Sequence, residues 1–241
     1  MSNDFKRIPY GISSFKQVRE EGLYLVDKSM FFEQLELAGN FFYIVRPRRF
    51  GKSLFLNMLE AYYDINEKDN FDKLFAGLYV ADHPTGNRNK YLVIHLDFSQ
   101  IQGDVDLIAE NLNIYLTNQC NLFALKYKQF YPAELTQLLQ QATTGSSKLN
   151  LIGNLSRQLG IRLYLIVDEY DNFTNDVLNT KGQQAYHELT HGTGIYRELC
   201  KKFKPVFDRI IMLGVSPITL DDLTSGYNIA LNITMDPRFN Q

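Results

Sequence analysis

The chain has 241 residues, of which 45% are hydrophobic and 22% are charged, and its formal net charge is −2 at pH 7. This composition is typical of a folded globular protein and excludes disorder over most of the length. The small net charge also excludes a global positive field that would attract nucleic acid, so only a local basic patch could do so.

The N-terminal residues and the cysteines bear on the compartment. The chain opens without a charged and then apolar signal-peptide pattern, and no run approaches the length of a membrane span. Cys120 and Cys200 belong to neither a CxxC pair nor a zinc-ligand pattern, so we expect two reduced thiols. We therefore expect a cytoplasmic protein that does not cross a membrane.

Two helices are expected before the first strand. Ser13–Glu21 predicts a short helix opened by a serine cap. Asp27 is the expected cap of a second helix, Lys28–Ala38, which Gly39 ends. The apolar run Phe41–Val45, rich in aromatic and β-branched residues, then predicts a strand buried on both faces.

The rest of the chain alternates between strand and helix patterns. The further expected strands are Tyr91–Phe98, Arg162–Val167, Arg209–Val215 and Ile229–Thr234. The further expected helices are Leu54–Tyr63, one within Asp104–Tyr127, Leu149–Leu159, and one within Gln184–Lys202 with a break at Gly192–Gly194. Loops are expected at Thr143–Lys148 and Asn175–Gly182. This alternation predicts an α/β fold with a doubly wound, mostly parallel sheet and helices on both faces.

A phosphate-loop pattern lies between the first strand and the helix that follows it. Residues Arg46–Ser53 read R-P-R-R-F-G-K-S, which matches G-x-x-x-x-G-K-[ST] except at the first glycine. Backbone N–H groups at a helix N-terminus carry partial positive charge that a phosphate satisfies. Gly51 permits close backbone approach, Lys52 brings charge to the β- and γ-phosphates, and Ser53 offers a hydroxyl to Mg²⁺. The expected nucleotide-binding residues are Arg46, Pro47, Arg48, Arg49, Phe50, Gly51, Lys52, Ser53 and Leu54.

The arginines of this loop leave alternatives open. If the first glycine position needs a less favoured backbone conformation, Arg46 there costs about 1 kcal/mol, which is small beside the phosphate interactions. Arg48 and Arg49 could face phosphates, a neighbouring subunit or solvent. A basic turn without a ligand is the alternative interpretation of the whole loop.

The most apolar strand, Arg162–Val167, runs directly into Asp168 and Glu169. Ligands of open α/β sheets bind beyond the carboxyl ends of the strands. Asp168 is therefore expected to hold Mg²⁺ together with Ser53, and Glu169 to activate or orient the attacking water. Ser216, after the strand Arg209–Val215, is placed to sense the γ-phosphate or that water, or serves packing alone.

Three further features have ordinary explanations. Asp97 could add a polar edge to the site, although a structural hydrogen bond is the simpler interpretation. His187 and His191 lie four residues apart but lack the HExxH pattern of a zinc site. Arg197–Lys204 could contact nucleic acid, although a solvated helix face is the default.

The chain resembles the AAA-ATPase-like family of bacteria, whose members are described as predicted AAA-ATPases. The segments that carry the resemblance are IPYGISSF at 8–15, YLVDKS at 24–29, RPRRFGKSLF at 46–55, HLDFS at 95–99, VDEYDNF at 167–173 and GVSPITLDDLTSGYNIALNITMDPRFN at 214–240. The arginine at the first phosphate-loop glycine is itself typical of this family.

The resemblance implies a P-loop fold of the additional-strand type, in which the serine-ended strand lies between the phosphate-loop strand and the acidic strand. It implies ATP and Mg²⁺ as ligands. Family members commonly continue into a nuclease-like domain of the PD-(D/E)XK kind, which this chain ends before, so no nuclease activity is assigned. We expect one domain over 1–241, with lead-in helices in 1–40 and the core in 41–241, and a missing C-terminal continuation.

Together these features predict Mg²⁺-dependent ATP binding and hydrolysis, with Lys52, Glu169 and Ser216 as the catalytic residues. The domain would act as a switch or motor for a partner, either another protein chain or a missing C-terminal domain. The alternative is a non-catalytic interaction module that keeps a degenerate phosphate loop.

Overall fold

The computed structural model describes residues 6–101, 105–192, 194–216 and 230–239. Within these residues the strands are β1 (Phe41–Val45), β2 (Leu92–Asp97), β3 (Leu163–Asp168), β4 (Arg209–Gly214) and β5 (Leu231–Asn232). They form one sheet in the order β2-β3-β4-β1-β5, and every neighbouring pair is parallel. Strand β4, which leads to Ser216, lies between β1 and β3, so the expected additional-strand arrangement is confirmed.

Helices cover both faces of the sheet. In the described part of the chain they are α1 (Phe15–Glu20), α2 (Phe31–Ala38), α3 (Lys52–Tyr63), α4 (Phe71–Phe75), α5 (Tyr79–Asp82), α6 (Ile108–Lys126), α7 (Leu135–Gln141), α8 (Gly145–Gln158), α9 (Asn172–Thr190) and α10 (Ile195–Val206). The short helices α4, α5 and α7 were not predicted, because none of them carries a long periodic apolar pattern.

The two faces separate because successive strand residues point to opposite sides. In β3, Tyr164 and Ile166 pack in the cluster that contains residues of α1 to α5. Leu163, Leu165 and Val167 pack in the cluster that contains residues of α6 to α10. All of β3 is buried, so its apolar run confirms the doubly wound α/β fold.

The prediction of a loop at Thr143–Lys148 is wrong. Helix α8 begins at Gly145, and the Thr144 hydroxyl caps it by accepting the Ser147 N–H at 3.1 Å. A Cβ on Gly145 would lie 2.5 Å from Cβ of Leu116 in α6, so this glycine is required for close helix packing. The polar, small residues that suggested a loop are the cap and the packing contact of a helix.

The prediction of a loop at Asn175–Gly182 is also wrong, because α9 includes these residues. The helix is kinked at Gly182, whose φ is 81°. Burial of Phe173 and Val177 stabilises this helix although its sequence is polar. The expected break near Gly192–Gly194 is confirmed, since α9 ends at Thr190 and α10 begins at Ile195. Thr193 lies outside the described residues.

Helix α2 begins at Phe31, so Asp27 is not its cap. The Asp27 carboxylate instead accepts the Ser29 N–H at 2.8 Å and the Tyr79 N–H at 2.7 Å. It closes a turn and fixes the start of α5. The expected last strand shortens to β5, and its first predicted residue, Ile229, lies outside the described residues.

Cys120 and Cys200 are both free, as expected. Both are also buried, and burial raises the pKa of each thiol to about 12. Across the described residues, none of the helices combines the length and the apolar character that a membrane crossing requires.

Candidate functional site

The phosphate-loop segment occupies the expected place between β1 and α3. The Arg46 N–H extends the ladder beyond β1 by donating to the Gly214 carbonyl at 3.1 Å. Helix α3 begins at Lys52. In its first turn, the Phe55 N–H donates to the Gly51 carbonyl at 3.0 Å. The left-handed residues of the loop are Arg49, with φ of 65°, and Gly51, with φ of 76°. The less favoured conformation therefore falls on Arg49 rather than on Arg46.

Two contacts join this loop to the acidic pair at the end of β3. The Ser53 hydroxyl donates to the Asp168 carboxylate at 2.5 Å, across 115 residues of sequence. The Lys52 ammonium lies 3.7 Å from a Glu169 carboxylate oxygen and donates to the Pro47 carbonyl at 3.3 Å. The Lys52 side chain is only 6% exposed, so its charge is directed into the site and is stabilised there by these oxygen atoms.

Glu169 is held in an unusual backbone conformation. Its φ is 51°, and its N–H donates to the Asp168 carboxylate at 2.9 Å. Two of the non-glycine residues with positive φ in the described chain, Arg49 and Glu169, thus belong to this site. Backbone strain of this kind costs about 1–3 kcal/mol and is concentrated at functional sites.

The electrostatic surroundings of Glu169 favour its protonated form. Burial raises the pKa of the Glu169 carboxyl above its ordinary value, and the Lys52 charge opposes this shift. The negative charges of Asp168 and Asp171 raise the pKa further, and Arg48 lowers it. A carboxyl with a raised pKa is a stronger base once it is ionised, which is the property that water activation requires.

Ser216 is positioned by Asp171, a residue to which the sequence analysis gave no role. Asp171 is 1% exposed, and its carboxylate accepts the Val215 N–H at 3.1 Å and the Ser216 N–H at 2.5 Å. The sequence contained an indication, because Asp171 is the third carboxylate in the run that begins with Asp168 and Glu169. No feature of the sequence indicated that the Asp171 side chain faces the end of β4.

Tyr170 also connects the loop after β3 to the end of β4. Its hydroxyl donates to the Ser216 carbonyl at 2.6 Å, and its own carbonyl accepts the Tyr196 hydroxyl at 2.7 Å. A Cβ on Gly214 would lie 2.5 Å from Tyr170 Cε1 and 2.6 Å from Asp171 Oδ1. The end of β4 therefore requires glycine. These contacts also hold Ser216 against the loop that follows β3 and contains Glu169.

The remaining loop residues differ in what they face. Arg48, Arg49 and Phe50 are exposed, and Leu54 is half-buried against the core. The Arg46 side chain donates to backbone carbonyls of the chain's last described residues, Thr234 at 2.6 Å and Phe239 at 3.4 Å.

A cavity of about 370 Å³ lies beside the loop. Its walls combine cationic side chains with apolar ones, among them Lys28, Arg46, Lys52, Phe31, Phe55 and Phe239. The mixture suits a ligand that has both an anionic part and an apolar part.

Among the secondary candidates, Asp97 has a structural role. The Asp97 carboxylate accepts the Ser99 N–H at 3.0 Å and the Ser99 hydroxyl at 2.7 Å, so it caps the turn after β2. The Nδ1 atoms of His187 and His191 lie 3.1 Å apart. No group of three or more potential metal ligands of the His, Cys, Asp or Glu type is found among the described residues.

The basic segment of α10 is partly committed to other contacts. Lys201 pairs with Glu198 at 2.7 Å, and Lys202 donates to the Ser146 hydroxyl at 2.9 Å. The first contact is exposed on α10, and the second joins α10 to α8.

The donor set at Ser53 and Asp168 fits a hard divalent cation. It offers a hydroxyl and a carboxylate whose oxygens are 2.5 Å apart, so one ion can contact both. Mg²⁺ characteristically takes one or two carboxylates from the protein and completes its shell with water and phosphate. A donor set with one acidic ligand is thus compatible with Mg²⁺ that is bound together with a phosphorylated ligand.

Comparison with known proteins places the chain in a family. The family described as predicted AAA-ATPase matches residues 9–224. An uncharacterized protein in the vnfD 5′ region of Azotobacter chroococcum mcd 1 is 29% identical over 238 residues, which are 98% of this chain and 42% of that protein. The chain thus spans less than half of that relative, and no solved structure matches it. The chain belongs to the predicted AAA-ATPase family, and this membership indicates that it binds a nucleotide.

Proposed function

We propose that this domain binds ATP with Mg²⁺ and hydrolyses it, and that it acts as a switch or motor for a partner. The observation that carries the proposal is the meeting of two motifs that are far apart in sequence. Ser53 of the phosphate loop lies 2.5 Å from Asp168, and Lys52 lies 3.7 Å from Glu169. Phosphoryl transfer to water requires this combination of a phosphate-binding cation, a metal-binding carboxylate and a group that orients water.

Each group has a separate task in the proposed reaction. The N–H groups that begin α3 and the Lys52 ammonium bind the phosphate chain. Ser53 and Asp168 would hold Mg²⁺, which supplies charge neutralisation at the phosphate oxygens when bound. Glu169 accepts a proton from the attacking water, because its raised pKa increases its basicity. Ser216, whose N–H donates to Asp171, would contact the γ-phosphate or that water.

The test is calorimetric titration of Mg-ATP into the wild type, Lys52→Ala and the control Lys68→Ala. Lys68 is exposed and lies in the turn after α3, outside the site. We expect Lys52→Ala to weaken binding by about 10- to 100-fold or more, because charge-assisted hydrogen bonds are lost. Lys68→Ala should bind like the wild type. Unchanged binding in Lys52→Ala would reject this loop as the phosphate site.

A second candidate, a non-catalytic interaction module, is favoured by one observation. The Arg46 guanidinium, at the first position of the loop, donates to the chain's own carbonyls at Thr234 and Phe239. An inert module should show no Mg-ATP-dependent rise in melting temperature and should form a stable complex with another chain. A rise that requires Mg²⁺ would exclude the inert version.

A further inference from the structure

Arg46 stands where the general phosphate loop has its first glycine, and its side chain is directed toward the end of the described chain. Nη1 donates to the carbonyls of Val45, at 3.1 Å, and Thr234, at 2.6 Å. Nη2 donates to the Phe239 carbonyl at 3.4 Å. A planar guanidinium with five N–H donors can bind several carbonyls at once, which an ammonium on a flexible chain matches poorly.

Thr234 and Phe239 belong to residues 231–239, called the C-terminal segment below. This segment is joined to β1 by further contacts. The Ile233 N–H donates to the Tyr43 carbonyl at 3.2 Å, and the Val45 N–H donates to the Thr234 hydroxyl at 2.9 Å. Ile233 is fully buried in the core on the α1–α5 face. The Arg46 contacts begin where the two-residue pairing between β1 and β5 ends.

The C-terminal segment also lines the cavity beside the phosphate loop. Phe239 lines the cavity beside the phosphate loop, together with Arg46, Gly51 and Lys52. Its ring lies 6.0 Å from the ring of Phe31 in α2. A ligand that fills this cavity would therefore contact the phosphate loop and the C-terminal segment at the same time.

We propose that Arg46 is a positioning residue that ties the C-terminal segment to the phosphate loop, rather than a ligand of the phosphates. Through this tie, ligand binding at the phosphate loop changes the stability of the C-terminal segment. The coupling to occupancy rests on the proposed nucleotide binding, whereas the tie itself is a property of the free protein. Two kinds of measurement therefore separate the two ideas.

The first measurement is amide hydrogen exchange in the nucleotide-free protein, read from peptides that cover 231–239. Arg46→Gly, which restores the general loop sequence, and Arg46→Lys should each raise exchange there by about tenfold or more, because the tie to the carbonyls is lost. Arg48→Gly removes the same charge from the same loop and should leave exchange in 231–239 at the wild-type rate. A melting curve of each variant establishes that it is folded. Wild-type exchange in both Arg46 variants would overturn the tie.

The second measurement adds Mg-ATP, with binding followed by calorimetry in the same samples. We expect bound Mg-ATP to slow exchange in 231–239 in the wild type but not in Arg46→Gly. Arg46→Gly should weaken binding less than Lys52→Ala does, since it removes no phosphate contact. Equal weakening in the two variants with unchanged nucleotide-free exchange would identify Arg46 as a phosphate ligand. Failure of the wild type to bind would contradict the proposed function and the coupling, while the nucleotide-free exchange still decides the tie.

Discussion

The two sides of the site are built differently. On one side, the phosphate loop is exposed from Pro47 to Gly51, and Lys52 enters the site from the start of α3. On the other side, β3 is buried along its whole length, and the loop after it is fixed to the end of β4 by Asp171. The loop that must admit a ligand is thus open, and the side that must hold reactive groups in register is rigid.

Both sides nevertheless contain a residue in a left-handed conformation, Arg49 in the loop and Glu169 after β3. Strain of this kind persists only where the surroundings fix it. Around Glu169 these surroundings are evident, since Tyr170 and Asp171 are both buried and hydrogen-bonded to neighbouring elements. Arg49 is exposed, so its strain has less to sustain it.

The largest expected effect tests the rigid side. Glu169→Gln keeps the size of the side chain but removes its basicity, so turnover should fall by about 10²- to 10⁴-fold. Mg-ATP affinity should stay close to that of the wild type, because the phosphate-binding groups are intact. Phosphate release and calorimetry measure the two quantities. If turnover persists in Glu169→Gln, another group activates the water.

The pH dependence of turnover tests the same carboxyl. The pKa of Glu169 is raised, and a base acts only when ionised, so activity should decline as the pH falls through a value above 4.5. Below that value each pH unit should lower the rate by about tenfold. A profile of kcat/KM, which reports the ligand-free protein, should show the same fall in rate at acid pH in the wild type and in Ser216→Ala, which keeps Glu169. A fall that is centred at or below pH 4.5 in both proteins would contradict the raised pKa.

An effect of intermediate size tests the packing between the end of β4 and the loop that follows β3. Gly214→Ala places a Cβ 2.5 Å from Tyr170 and 2.6 Å from Asp171, so unfolding free energy should fall by about 1–3 kcal/mol. Gly86→Ala is the matched control, since its Cβ would meet nothing within 4 Å. Urea denaturation compares the two variants. Equal stability would show that the two strand ends are not tightly packed.

The smallest effect tests the open side. Arg49→Gly removes a left-handed conformation that costs about 1–2 kcal/mol, while glycine loses about 0.5–1 kcal/mol more entropy on folding. The net change in unfolding free energy should be a small gain of about 0–1.5 kcal/mol. Denaturation measures it, and Arg48→Gly, which leaves the left-handed residue in place, should give no gain. A clear loss of stability in Arg49→Gly would show that Arg49 makes contacts that outweigh its strain.

Much of the fold followed from local patterns. Strands β1 and β3 lie at or within one residue of their predicted bounds, because strands buried on both faces need continuous apolar runs. The predictions failed at Thr143–Lys148 and Asn175–Gly182, where polar sequence hides helices that packing stabilises. Helix propensity is a weak local signal that burial against a neighbouring element can override.

The sequence by itself determined which residues could form the candidate site: the loop Arg46–Ser53, the pair Asp168–Glu169 and Ser216 each follow a recognisable strand. Only the tertiary structure decided what their side chains contact. Asp171 is bonded to N–H groups 44 and 45 residues away, and Arg46 to a carbonyl 188 residues away. Spacing along the chain fixes the end of a strand, but the direction and partner of a polar side chain depend on elements that packing brings beside it.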